Sequence, residues 1–120
     1  MKNETLVFGA STKEDRYANK AIRMLRGKGF ETKAFAIREG KVNDVVFDTQ
    51  LLPYNDIDTV TLYINPKRQE AYYDYITSLN PRRVIFNPGT ENTEFMKLLK
   101  EKGIQSEVAC TLVLLSTNQY

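Results

Sequence analysis

Gly9, Ala10 and Ser11 follow directly on the apolar run Thr5–Phe8, and no other residues in the chain have a type and spacing that point so clearly to chemistry. Small side chains between a buried strand and a helix leave backbone N–H groups and the positive end of a helix dipole facing one point. Such a point attracts an anion, most often a phosphate. Basic side chains stand in matching places. Arg16 is at the head of the first helical pattern, Arg38 closes the second apolar run, and Lys67 and Arg68 open a later helix. A cation at a helix start is poorly placed unless an anion is bound there. The turn Gly9–Thr12, with Arg16, is therefore expected to hold the diphosphate of a nucleotide-bearing cofactor. Ser11 could also act as a helix cap, and the two roles are compatible.

The residues that are missing narrow the chemistry further. The chain has no histidine, which excludes Ser-His-Asp triads, Cys-His pairs and histidine metal sites. One cysteine, Cys110, excludes an intrachain disulfide and a CxxC redox pair, and it is expected to be a small buried apolar residue. No metal cluster or acid–base dyad is visible, and Glu14-Asp15 and Asp56/Asp58 are expected in solvated turns. Binding is favoured over catalysis. A net charge of +2 gives no bulk case for nucleic acid, and no apolar run is long enough to cross a membrane. The start, MKNETLVFGA, enters the first strand without a signal peptide's apolar segment, so a cytoplasmic protein is expected. A length of 120 residues, 42% hydrophobic, suggests one domain over 1–120.

These residues need a scaffold, and the periodicity supplies one. Thr5–Phe8 has the unbroken apolar character of a strand buried on both faces. Ala18, Ala21, Ile22 and Leu25 then form the stripe of a helix lying on a sheet. Further strands are predicted at Thr32–Arg38, Asp58–Ile64, Arg83–Asn87 and Ile104–Val108. Between them lie a helix from Pro66 with Ala71, Tyr72, Tyr75, Ile76 and Leu79 inward, and one capped by Thr90 or Asn92 with Phe95, Leu98 and Leu99 inward. Tyr72, Tyr73 and Tyr75 are expected to pack against the protein rather than a ligand. The least regular stretch is Glu39–Asp58, where Val45–Phe47 could form a short edge strand and Leu51–Tyr54 a loop or helical turn. Cys110–Leu115 is expected as a short turn or helix, with Ser116–Tyr120 fraying. Alternating strands and helices mean an α/β, Rossmann-like, doubly wound and mainly parallel sheet of five to six strands with helices on both faces. With the edge strand the order is 3-2-1-4-5-6. The switch point then falls between Thr5–Phe8 and Thr59–Tyr63, and the loops at the strands' carboxyl ends converge there.

The choice of nucleotide follows from two positions. A dinucleotide fingerprint starting at Gly9 needs glycines at 11 and 14, where the chain has Ser11 and Glu14. An NAD site wants a carboxylate ending the second strand, and Arg38 stands there instead. A guanidinium pairs with a ribose phosphate, which coenzyme A and NADP both carry.

Gly9-Ala10-Ser11, Arg16-Tyr17, Tyr63-Ile64-Asn65-Pro66, Asn87-Pro88-Gly89-Thr90 with Glu91-Asn92, and Cys110 together resemble the small single-domain CoA-binding proteins. These are similar in turn to the CoA-binding domain of the succinyl-CoA synthetase α subunit. The resemblance implies phosphate contacts from Gly9, Ala10, Ser11, Thr12 and Arg16. It implies contacts to the adenosine end from Ile37 and Arg38, and to the remainder of the ligand from Asn65, Pro66, Pro88 and Gly89. The Glu39–Asp58 connection and the Asn65-Pro66-Lys67-Arg68 loop depart from the usual pattern. The expected function is reversible binding of coenzyme A or an acyl-CoA at the strands' carboxyl ends, without chemistry, as a sensor, carrier or accessory subunit. The alternatives are an NADP-binding domain of a reductase and an interaction module with a vestigial cleft. A protein partner is possible under any of these.

Overall fold

The computed structural model describes residues 2–120. In chain order its elements are β1 (Glu4–Phe8), α1 (Tyr17–Gly27), β2 (Thr32–Phe35), β3 (Lys41–Val42), β4 (Val45–Val46), β5 (Ile57–Leu62), α2 (Pro66–Gln69), α3 (Tyr73–Ser78), β6 (Arg83–Phe86), α4 (Thr93–Glu101), β7 (Gln105–Val108) and α5 (Thr111–Ser116). Five strands form one parallel sheet in the order β2-β1-β5-β6-β7, so the chain reverses direction of growth between β1 and β5. This is a Rossmann-like α/β fold, with the switch point where the sequence places it.

The two sheet faces follow from strand alternation. Leu6 and Phe8 of β1 face one side, where Val60, Leu62, Val84 and Phe86 join Ile76 of α3 and Phe95 and Leu99 of α4 in one buried core. Val7 faces the other side, where Ala34 meets Ala18, Ile22 and Leu25 of α1 and Leu115 of α5. Every position of the predicted α1 stripe is buried. Burying a side chain such as Ile22 or Leu25 is worth about 1.5–3 kcal/mol, which is what holds α1 to the sheet.

Several expectations need correction. Val45–Phe47 does not form a sixth sheet strand. Val45 and Val46 pair antiparallel with Val42 and Lys41 in a two-stranded hairpin, and the segment joins the sheet's ladder only through a parallel bridge between Asp48 and Phe35. The Ala36 and Asp48 amides donate to the Asp48 and Ala34 carbonyls at 3.0 and 2.8 Å, after which the chain turns away. Leu51–Tyr54 is a loop rather than a helical turn. The second strand ends at Phe35, which releases Ile37 and Arg38 into a loop. The single helix expected from Pro66 is broken by a 3₁₀ turn over Glu70–Tyr72, and Ala71 is exposed. Three tyrosines there occupy separate positions. Tyr72 lies edge-on to Phe8 and Phe35, Tyr73 stacks on Phe95, and Tyr75 tilts over Phe8, an arrangement one straight helix cannot present.

Asp58 is not in a solvated turn. It is the second residue of β5, half-buried between Ile57 and Thr59, and forms a two-pronged ion pair with Arg82 at 2.9 and 3.0 Å. Nor does the chain fray at its end. The Tyr120 hydroxyl lies 2.5 Å from Thr5 Oγ1, and its ring packs on Phe30 and on the buried Arg83 guanidinium. Arg83 is also held by Thr59 at 3.2 Å and Glu107 at 3.0 Å.

Candidate functional site

The carboxyl ends of β1, β2, β5 and β6 open onto a cleft of about 810 Å³. Of the residues singled out in the sequence, Gly9, Ala10, Ser11, Thr12, Arg16, Ile37, Arg38 and Pro88 line it. Asn65, Pro66 and Gly89 do not. Asn65 caps α2 by accepting from the Arg68 amide at 2.9 Å, Pro66 begins that helix, and the Gly89 amide donates to Glu91 at 2.8 Å. Their neighbours Tyr63, Ile64, Arg68 and Thr90 line the cleft in their place.

The turn after β1 is built by close approach. Gly9 has φ +103°, and a Cβ there would lie 2.8 Å from Ile64 Cγ2 and 3.3 Å from the Tyr63 carbonyl carbon. Only glycine lets β1 pass that close to the end of β5. The expectation that all amides of Gly9–Thr12 are free needs amendment, because Gly9 and Ala10 both donate to the Phe35 carbonyl at 2.9 Å. The amides of Ser11 and Thr12 have no partner among the described residues. The same holds for Tyr17, Ala18 and Asn19 in the first turn of α1, whose start lacks any side-chain cap. Ser11 does not cap α1. Its Oγ accepts from the Lys13 amide at 3.1 Å within the loop. Asn19, which the sequence did not mark, joins the two parts. Buried in α1, it donates to the Ser11 carbonyl at 3.0 Å and accepts from Arg23 at 2.7 Å.

The walls are predominantly cationic. Lys13, Arg16, Arg38 and Arg68 line the cleft against Asp15 and Glu39. The side chains of those four cations make no hydrogen bond or ion pair among the described residues, whose three ion pairs lie elsewhere. Apolar surface is also present. Tyr17 and Ile37 stand 57% and 65% exposed at the rim, and Phe8, Phe35 and Tyr72 form an aromatic floor. Tyr72 thus packs on the core, as expected, while also contributing an edge to the cleft.

Buried amides hold the later loops beneath this floor. Asn87 donates to Thr61 Oγ1 at 2.7 Å and to the Leu62 carbonyl at 2.8 Å, and accepts from the Thr111 amide at 2.9 Å, tying β5, β6 and α5 together. Gln69 bridges the Ile64 and Thr90 carbonyls at 3.0 and 2.8 Å and accepts from Asn92, which also caps α4. Tyr63 differs from these, because its hydroxyl is buried without a partner among the described residues. Burial pushes its pKa up to about 12. Cys110 is partly exposed rather than buried, at the start of α5 and outside the cleft lining. Among the described residues no group of three His, Cys, Asp or Glu side chains is placed to hold a metal, and no helix is long and apolar enough to cross a membrane.

A parallel sheet with its switch point beside a cation-lined cleft that also holds unpartnered backbone amides among the described residues defines a Rossmann-like α/β protein. The chain belongs to the CoA binding domain family, whose model matches residues 3–116. A solved structure titled only as an uncharacterized protein is similar over 100% of this chain and 99% of its own, at 42% identity and a TM-score of 0.96. A hypothetical protein from Pyrococcus horikoshii OT3 is 25% identical, with 94% and 81% of the two chains covered and a TM-score of 0.79. The protein cell-free ID.343 from Thermus thermophilus, at 23% identity, 99% and 91% coverage and a TM-score of 0.85, shares the fold. A search of curated proteins found no match.

Proposed function

We propose that the cleft binds coenzyme A or an acyl-CoA reversibly and performs no chemistry of its own. The diphosphate meets the free amides of Ser11 and Thr12, the start of α1 and the Arg16 guanidinium. Arg38 pairs with the ribose phosphate, Ile37 and Tyr17 cover the adenine, and the pantetheine arm runs toward Pro88 and Thr90. The observation that carries this proposal is the set of four cleft cations without a partner among the described residues, lining the same cleft as amides that are also unpartnered there. Such a site lowers its energy by accepting a polyanion, and preformed donors lose little entropy in doing so. Binding without catalysis is supported by the cleft's side chains. They include no histidine, and burial moves the titration of Tyr63 away from neutrality. A domain of this kind could report acyl-CoA levels or act as an accessory subunit to another protein.

Thermal-shift measurements across coenzyme A, acetyl-CoA, NADPH, NAD and ATP test this, since a ligand that binds only the native state raises its apparent stability. Coenzyme A and acetyl-CoA are expected to raise Tm the most. A shift with NADPH and none with coenzyme A would favour a reductase-type domain, and no shift with any nucleotide would favour an interaction module.

A further inference from the structure

Gly40 lies in the loop that carries Ile37, Arg38 and Glu39 along one wall of the cleft, and nothing in the proposed ligand contacts involves it. Its space is occupied from two sides. A Cβ built there would lie 2.5 Å from Thr12 Cγ2 and 2.9 and 3.0 Å from the Phe47 ring. Its φ is not in the left-handed region, so close approach rather than backbone conformation demands glycine. Phe47 is buried in the α1-side core and donates its amide to the Gly40 carbonyl at 2.9 Å, so that ring cannot withdraw freely. Thr12 belongs to the turn that follows β1.

We propose that Gly40 is a specificity-determining position: its contact with the Thr12 methyl fixes the separation between the Ser11–Thr12 amides and Arg38. This inference rests on the coenzyme A proposal above. Two anion-binding subsites held at a fixed separation select ligands bearing both a diphosphate and a ribose phosphate. A ligand lacking the second phosphate keeps only the Ile37 contact to the adenine and gains less from the fixed wall. The contact therefore governs the preference for coenzyme A over dephospho-CoA, and it acts by positioning, without touching either ligand.

Calorimetric titration with these two ligands supplies the test. The wild-type protein is expected to prefer coenzyme A by about tenfold or more, the usual scale of a charge-assisted phosphate contact. Gly40→Ala forces the wall outward and is expected to reduce that preference to less than about threefold, chiefly through weaker coenzyme A binding. Thr12→Ser keeps the hydroxyl and removes only the methyl, so it folds readily, and the resulting gap is also expected to lower the preference. The double variant relieves the clash with the Thr12 methyl but keeps the one with the Phe47 ring, so it is expected to regain part of the preference, a coupling that independent sites do not show. Two outcomes overturn the inference: an unchanged preference in both single variants, or a double variant whose losses simply add. Equal affinity of the wild-type protein for both ligands overturns it as well, while leaving coenzyme A binding intact. Only the absence of any coenzyme A binding counts against the underlying proposal.

Discussion

Replacing Gly9 by alanine tests the geometry on which the cleft depends. The new Cβ meets two costs. At φ +103° a side chain is held in a region that L residues rarely adopt, worth about 1–3 kcal/mol. It also lies 2.8 Å from Ile64 Cγ2 and 3.3 Å from the Tyr63 carbonyl carbon, where backbone cannot yield, and overpacking of this kind costs about 1–3 kcal/mol. The total is about 2–6 kcal/mol, or at about 4 °C per kcal/mol for a chain of this size a fall in Tm of roughly 8–24 °C. Gly103→Ala is the matched control. Gly103 also has positive φ, +74°, but a Cβ there meets nothing within 4 Å, so it should show the backbone cost alone, about 1–2 kcal/mol. Urea unfolding of both variants measures the difference, which is the cost of the approach of β1 to β5. If Gly9→Ala loses no more stability than Gly103→Ala, the close approach is wrong and so is the shape of the turn.

Five further outcomes are expected. Asn87→Ala removes three buried hydrogen bonds and leaves the Thr111 amide and Leu62 carbonyl short of a partner, so urea unfolding should show a loss of about 2–4 kcal/mol. Tyr120→Ala uncovers Arg83 and Thr5, and calorimetry should record a lower Tm even though the residue is the last in the sequence given. Tyr63→Phe deletes a hydroxyl buried without a partner, so its urea midpoint should match or exceed the wild-type value. Tyr63 and Tyr75 are both pushed up to about 12 by burial, Tyr75 with a contribution from Asp48. The unfolded chain releases these protons near pH 10 while the folded one retains them. Stability is therefore complete below about pH 10 and falls between about pH 10 and 12, by up to about 1.4 kcal/mol per unit from Tyr63 and by less from the partly exposed Tyr75, where solvent screens the effect. Denaturation monitored through tyrosinate absorbance should show a shallower alkaline decline in Tyr63→Phe. Asp58 acts at the acid end. Burial opposes its charge, but hydrogen bonds from Arg82 and Thr59 outweigh that and hold its carboxyl below the ordinary value. Its contribution is present above the unfolded carboxylate pKa and is lost as pH falls below it, which Asp58→Asn should flatten in acid unfolding curves.

Much of this architecture was legible because it rests on local patterns. The apolar run Thr5–Phe8, the stripe Ala18–Leu25 and the punctuation at Asn65-Pro66 and Asn92 each encode an element within a few residues. The switch point followed from the order of those elements. What the sequence concealed is non-local. Whether the Gly9 and Ala10 amides are free depends on Phe35, whose carbonyl takes both. The 39–58 stretch eluded prediction because its pairs are two-residue strands and one bridge, set by the seating of Phe47 and Gly40 rather than by periodicity. Nothing local marks Gln69, yet it is fully buried and its amide reaches two loop carbonyls. Tyr120 reaches Thr5 across a sequence separation of 115 residues, and no local signal announces such a contact. For the same reason Asn65, Pro66 and Gly89, chosen by motif, fell outside the cleft lining while Arg68 and Thr90 fell within it.

The central claim is that the unpartnered amides after β1 receive the ligand's diphosphate, and amide chemical shifts of isotope-labelled protein titrated with coenzyme A test it most directly. The largest changes should fall on Ser11, Thr12 and Tyr17–Asn19, saturate at one equivalent, and weaken as salt screens Arg16 and Arg38. Saturable binding whose changes leave those amides unmoved would contradict the account.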